Sequence, residues 1–144
     1  MDKEKINIAL IGCGRISRNH IKAIISEKKR CNLVAICDNS NENLNSTNNY
    51  LKEVFKTNKI EDLPLKFLEF NDLLIAHKKK VLNIDLLVIC TPSGMHPEQT
   101  ILAASFGINV CTEKPMALNI EDGEKMIKTC KHNNVQLFVL MQIR

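Results

Sequence analysis

Tryptophan is absent from the chain, tyrosine occurs once, and aromatic residues make up only 4% of the 144 positions. A nucleic-acid surface that stacks bases on aromatic rings therefore has no material to work with, despite the net charge of +4. The basic residues are spread out, with short clusters only at Lys28-Lys29-Arg30 and Lys78-Lys79-Lys80. Both fall where helix ends are expected, and cations there complement the helix dipole. No apolar run approaches membrane-spanning length, and the start, MDKEKINIAL, carries acid where a leader would be apolar. No membrane partner and a cytoplasmic location are expected. GxSxG, HExxH and GxxxxGK[ST] are all missing, so nucleophilic hydrolysis, zinc peptidase chemistry and nucleoside triphosphate hydrolysis lack their signatures. The six cysteines, Cys13, Cys31, Cys37, Cys90, Cys111 and Cys130, contain no CxxC pair and mostly sit in apolar runs. They read as small core residues in a reducing compartment, with no zinc site or disulfide framework, and no metal is expected.

What remains is ordinary for a globular domain: 44% apolar residues, 25% charged, and enough length for one hydrophobic core. Strand-like and helix-like patterns alternate throughout. The run at 6–11 is apolar on both faces, as a strand buried on both sides requires. A helix is expected over 15–29, a strand over 33–37, and an amphipathic helix over 50–55 after an Asn-rich stretch that favours caps and turns. A short strand follows Pro64 over 65–70, then a helix capped by Asp72 and running to Lys80. Strands at 84–90, 108–111 and 135–141 alternate with helices at about 96–106, stopped by Gly107, and at 120–132, capped by Asn119. This order implies an α/β fold with a doubly wound parallel sheet of about six strands.

The first strand breaks into GCGRIS, where Gly12 would make a tight turn and Gly14 would let the backbone approach a phosphate. Ser17 stands where a third glycine often sits, and the helix that follows offers its N-terminal amides to an anion. Glycines also end strands for steric reasons alone, so the context has to decide. Asp38, at the end of the second strand, supplies it: a carboxylate there accepts hydrogen bonds from an adenine ribose and repels a 2′-phosphate, favouring NAD over NADP. A solvated Asp opening the Asn-rich turn is the plainer alternative. Ligands of open α/β sheets bind beyond the carboxyl ends of the strands. That groups residues 12–16, Asp38, 91–96, 113–115 and 142–144 around one crevice.

Lys114 is the candidate catalytic residue. Oxidation of an alcohol by NAD sends hydride to the nicotinamide while a base takes the hydroxyl proton, and an amine beside the cofactor can manage that proton. The plainer alternative is a surface lysine paired with Glu113. His96 could carry a proton, yet at a helix start after Gly94 it is better placed to fix the loop or touch the cofactor. His20, His77 and His132 have no acid or cysteine at ligand spacing and read as surface or structural.

The residues IGCGRISRNH, Asp38, TPSGMHPEQT, TEKPMA and LFVLMQIR resemble the glucose-fructose oxidoreductase / inositol dehydrogenase family, Gfo/Idh/MocA, across essentially the whole chain. Within it they are most similar to dehydrogenases that oxidise the 3-hydroxyl of UDP-N-acetylglucosaminuronic acid for bacterial surface polysaccharides. The resemblance implies a Rossmann-type domain in which Gly12, Cys13, Gly14, Arg15 and Ile16 hold the pyrophosphate of NAD and Asp38 the adenosine ribose. It implies that Thr91, Pro92, Ser93 and His96 meet the nicotinamide half. Glu113 and Lys114 would contact the nicotinamide ribose, with Lys114 also at the reacting hydroxyl. Gln142 would lie near the cofactor and Arg144 near the anionic sugar. A cis bond before Pro115 is also implied.

Members of the family continue into a second domain that binds substrate, contributes a histidine to the acid-base pair and often makes the oligomer contact. The chain has no room for it, so a homo-oligomer is expected only where that domain is present. Two classes of function remain: an NAD-dependent sugar or inositol dehydrogenase, or its cofactor half, and a non-catalytic NAD-binding module that joins a partner. An exposed apolar patch around the sixth strand would fit the second class or a truncation.

Overall fold

The apolar run at the start forms β1 (Ile6–Ile11), the centre of a parallel sheet. In the computed structural model, which describes residues 4–141, its side chains alternate between two cores. Ile8 and Leu10 face one core and Ala9 and Ile11 the other, the period-two pattern of a strand buried on both sides. The remaining elements are α1 (Ser17–Ser26), β2 (Cys31–Cys37), α2 (Asn41–Thr57), β3 (Leu65–Phe67), α3 (Phe70–Lys78) and β4 (Leu86–Ile89). A 3₁₀ turn (Ser93–Met95) leads into α4 (His96–Ser105), followed by β5 (Asn109–Thr112), α5 (Ile120–His132) and β6 (Leu137–Val139). All pairings are parallel and the strand order is β3-β2-β1-β4-β5-β6. The order reverses between β1 and β4, which makes that junction the switch point of a doubly wound sheet. This is the expected fold.

Ile21, Ile24 and Ile25 of α1 and Leu44, Leu51 and Phe55 of α2 close the first core. Leu73 and Leu74 of α3 and Ala103 of α4 close the second. At the amino ends of the strands a row of amides and acids ties neighbours together. Asn32 donates to Asn7, the Asn7 amide to the Asp85 carboxylate, Asn109 to the Asp85 carbonyl, and the Gln136 amide to Asn109.

The long helix α2 is the main departure from expectation. Its first two turns are the Asn-rich stretch expected to turn. Ser40 caps it by accepting from the Asn43 amide, while Leu44 and Thr47 are buried along the same helix as Leu51 and Phe55. Burial of a helical stripe outweighs the modest helix cost of Asn and Ser. β3 is shorter than expected, three residues at the sheet edge, because Leu68 and Glu69 already turn toward α3. Asp72 stands in the first turn of α3, whose cap position is Glu69. By contrast α5 spans the expected residues with its Asn119 cap accepting from the Asp122 amide, and Gly107, at φ +74°, ends α4. Phe138 and Met141, 51% and 74% exposed, leave an apolar surface around β6.

Candidate functional site

The sheet register levels the carboxyl ends. Phe67, Cys37, Ile11, Ile89, Thr112 and Val139 stand opposite one another in one row. The next residue of each strand locks to its neighbour: Asp38 N–H donates to Phe67, Gly12 to Cys37, Cys90 to Ile11, Glu113 to Ile89 and Leu140 to Thr112, all between 2.8 and 3.1 Å. The expected site residues therefore emerge along one rim because hydrogen bonding continues one residue past each strand.

At the switch point Gly12 adopts φ +93°, and a Cβ there would sit 2.6 Å from the Cys90 carbonyl carbon. Only glycine fits between β1 and β4. Gly14 has nothing within 4 Å of where its Cβ would be. Between Gly14 and the helix, Ser17 is fully buried and its hydroxyl donates to the Gly14 carbonyl at 2.5 Å, closing the turn. Helix α1 begins two residues later than expected and has neither a side-chain cap nor an acid in its first turn. Among the described residues, the amides of Gly14, Arg15 and Ile16 donate to no protein acceptor. These are the orphan donors that an anion can satisfy.

Cys13 plays another part. Its amide donates to Asp38 Oδ2 at 2.7 Å, its thiol contacts the Cys37 carbonyl, and its own carbonyl accepts from Thr47. It anchors the loop to β2 and α2, with its amide and thiol both engaged within the protein. Burial, then the neighbouring Asp38 charge, pushes its thiol up to about 12. Cys37 is likewise pushed up to about 12, chiefly by burial, and Cys90 is raised further. All six cysteines are free thiols.

Asp38 accepts from the Cys13 amide on one oxygen and the Ser40 amide on the other. The carboxylate thus joins the glycine loop to the start of α2 while remaining half-buried at the rim of a cavity of about 640 Å³. Gly12, Gly14, Asp38, Thr91 and Pro92 all line that cavity. So do Glu69 and Gln99, which sequence reasoning passed over; Gln99 is buried and accepts from the Thr91 hydroxyl at 2.5 Å.

His96 is 1% exposed, with one ring nitrogen 2.8 Å from the Thr91 carbonyl and the other 2.9 Å from the Pro115 carbonyl. It ties the loop after β4 to the loop after β5. Of its expected roles, fixing the loop is the one this geometry serves, and its ring has no free nitrogen to offer a cofactor. Ser93 is half-buried in the 3₁₀ turn. The Lys114–Pro115 bond is cis, as expected. Lys114 is exposed and, among the described residues, has no ion-pair partner. Glu113 is engaged elsewhere: its Oε1 lies 2.6 Å from Nε2 of His20, with both side chains largely buried. The partner stands 93 residues along the chain, outside any ligand spacing in the sequence, and the contact gives His20 the structural place among its two expected readings. The first turns of the helix behind the glycine loop look onto the rim, and that placement was the available signal. Gln142 and Arg144 lie outside the described residues.

Residues 6–141 match the model of the Gfo/Idh/MocA oxidoreductase family, described as an NAD-binding Rossmann fold. The chain belongs to this family. The WlbA dehydrogenase of Bordetella pertussis, solved in complex with NADH and UDP-GlcNAcA, superposes with a TM-score of 0.82 at 40% identity over 95% of the chain. The myo-inositol 2-dehydrogenase of Lactobacillus plantarum gives 0.76 at 26% identity over 95%. The D-apiose dehydrogenase of Paraburkholderia graminis is 29% identical over 91% of the chain. The chain spans 37%, 36% and 31% of the lengths of these three proteins. As a Gfo/Idh/MocA NAD-binding domain, its free amides at 14–16, open backbone at Gly14 and strand-end acid fit a dinucleotide. Among the described residues no helix is long and apolar enough to cross a membrane, and no group of three or more His, Cys, Asp or Glu is placed to hold a metal.

Proposed function

We propose that the chain is the cofactor-binding part of an NAD-dependent dehydrogenase that oxidises a sugar hydroxyl, C3 of UDP-N-acetylglucosaminuronic acid. The observation that carries the NAD assignment is the rim itself, where unpaired amides at 14–16 stand next to Asp38. Glu69, lining the same cavity, adds a second carboxylate that disfavours a 2′-phosphate. The choice of sugar is supported by the similarity to the Bordetella pertussis dehydrogenase bound to that nucleotide sugar.

Bound NAD supplies the hydride acceptor. The amides of Gly14, Arg15 and Ile16 bind its pyrophosphate, and Asp38 orients the adenosine ribose. Glu113 holds the nicotinamide ribose, while Lys114, exposed at the rim and without an ion-pair partner among the described residues, takes the proton from the reacting hydroxyl. Gln142 and Arg144 complete the cofactor and sugar contacts. NADH formation with UDP-N-acetylglucosaminuronic acid, against myo-inositol and D-apiose, tests the substrate. Turnover of either rival in place of the nucleotide sugar would overturn it. The second reading, a non-catalytic NAD-binding module, draws on the exposed Phe138 and Met141 around β6. NAD binding without turnover of any of the three compounds, in a protein that also carries the family's substrate domain, would favour it.

A further inference from the structure

We infer that His20 is a positioning residue for the nicotinamide half of the cofactor, acting through Glu113. The inference rests on the proposed contact between Glu113 and the nicotinamide ribose. His20 stands in the first turns of α1, on the element that begins at the glycine loop, whereas Glu113 follows β5 two strands away from β1. Their 2.6 Å contact is therefore a tie between the pyrophosphate end of the crevice and the loop that carries Lys114.

An ionised carboxylate only accepts, so Nε2 of His20 donates to Oε1 of Glu113. With 13% and 14% of the two side chains exposed, little water competes for this bond. The Glu113 amide is already fixed to the Ile89 carbonyl. The imidazole therefore settles the last freedom of the residue, the direction of its carboxylate, and leaves Oε2 for a ribose hydroxyl. It also keeps Glu113 from pairing with the adjacent Lys114, whose amine stays available at the rim. A glutamine at position 20 can present an N–H where Nε2 lies, while alanine cannot.

Calorimetric titration of the chain with NAD and with ADP, which lacks the nicotinamide ribose, tests this. His20→Ala should weaken NAD about tenfold while ADP binds within about twofold of the native chain, and His20→Gln should recover most of the NAD affinity. Adding His20→Ala to Glu113→Ala should cost no further NAD affinity. Equal losses for NAD and ADP, unchanged NAD affinity, or failure of glutamine to rescue would overturn the inference. Failure of the native chain itself to bind NAD would instead overturn the proposed function beneath it.

Discussion

At Gly12 a single hydrogen stands where any other residue would place a carbon 2.6 Å from the backbone of β4. Gly12→Ala also forces a side chain onto φ +93°, so about 2–4 kcal/mol of stability should be lost in urea unfolding. Gly14→Ala meets no protein atom within 4 Å, so the fold should change by less than about 1 kcal/mol while NAD affinity drops. The two glycines, alike in sequence, thus separate a packing requirement from a ligand requirement. In the sequence the glycine pattern pointed to a ligand only once Asp38, at the end of the second strand, supplied the context. The roles of Cys13 and His20 were not legible, since each depends on a partner far along the chain, Asp38 and Glu113. Cys13 and Cys37 make a further prediction. Their thiols, raised from 9.0 to about 12, keep a proton in the fold that the unfolded chain releases. Their contribution to stability is complete below about 9 and is lost as pH rises through about 12. Urea midpoints measured across that alkaline range should fall steadily.

Among the elements, strands were easier to foresee than helices in polar sequence. β1 and α5 announced themselves by an unbroken apolar run and by a capped amphipathic stretch. The first half of α2 did not, because Asn and Ser favour turns locally and only burial of Leu44 and Thr47 against the sheet makes the stretch helical. The Ser40 cap matters for the same reason. Ser40→Ala should cost about 1 kcal/mol in thermal or urea unfolding, since the Asn43 amide loses its acceptor at the start of a helix with weak intrinsic propensity. Strand ends, too, were misplaced by one to three residues, but the register corrected this in the site's favour. The row from Phe67 to Val139 brings the post-strand residues level, which apolar patterning alone does not specify.

For the whole molecule, the strand order fixes the switch point and with it the crevice. Alternation of strand and helix made the fold legible from the residues; family resemblance, not composition, pointed to the nucleotide sugar. NAD is the cofactor that this crevice fits, with the carboxylates of Asp38 and Glu69 lining its proposed ribose end. Paired titrations of the chain with NAD and NADP test it most directly. NAD should bind in one-to-one stoichiometry and NADP at least about tenfold more weakly. No binding of NAD, or equal affinity for the two, would contradict it.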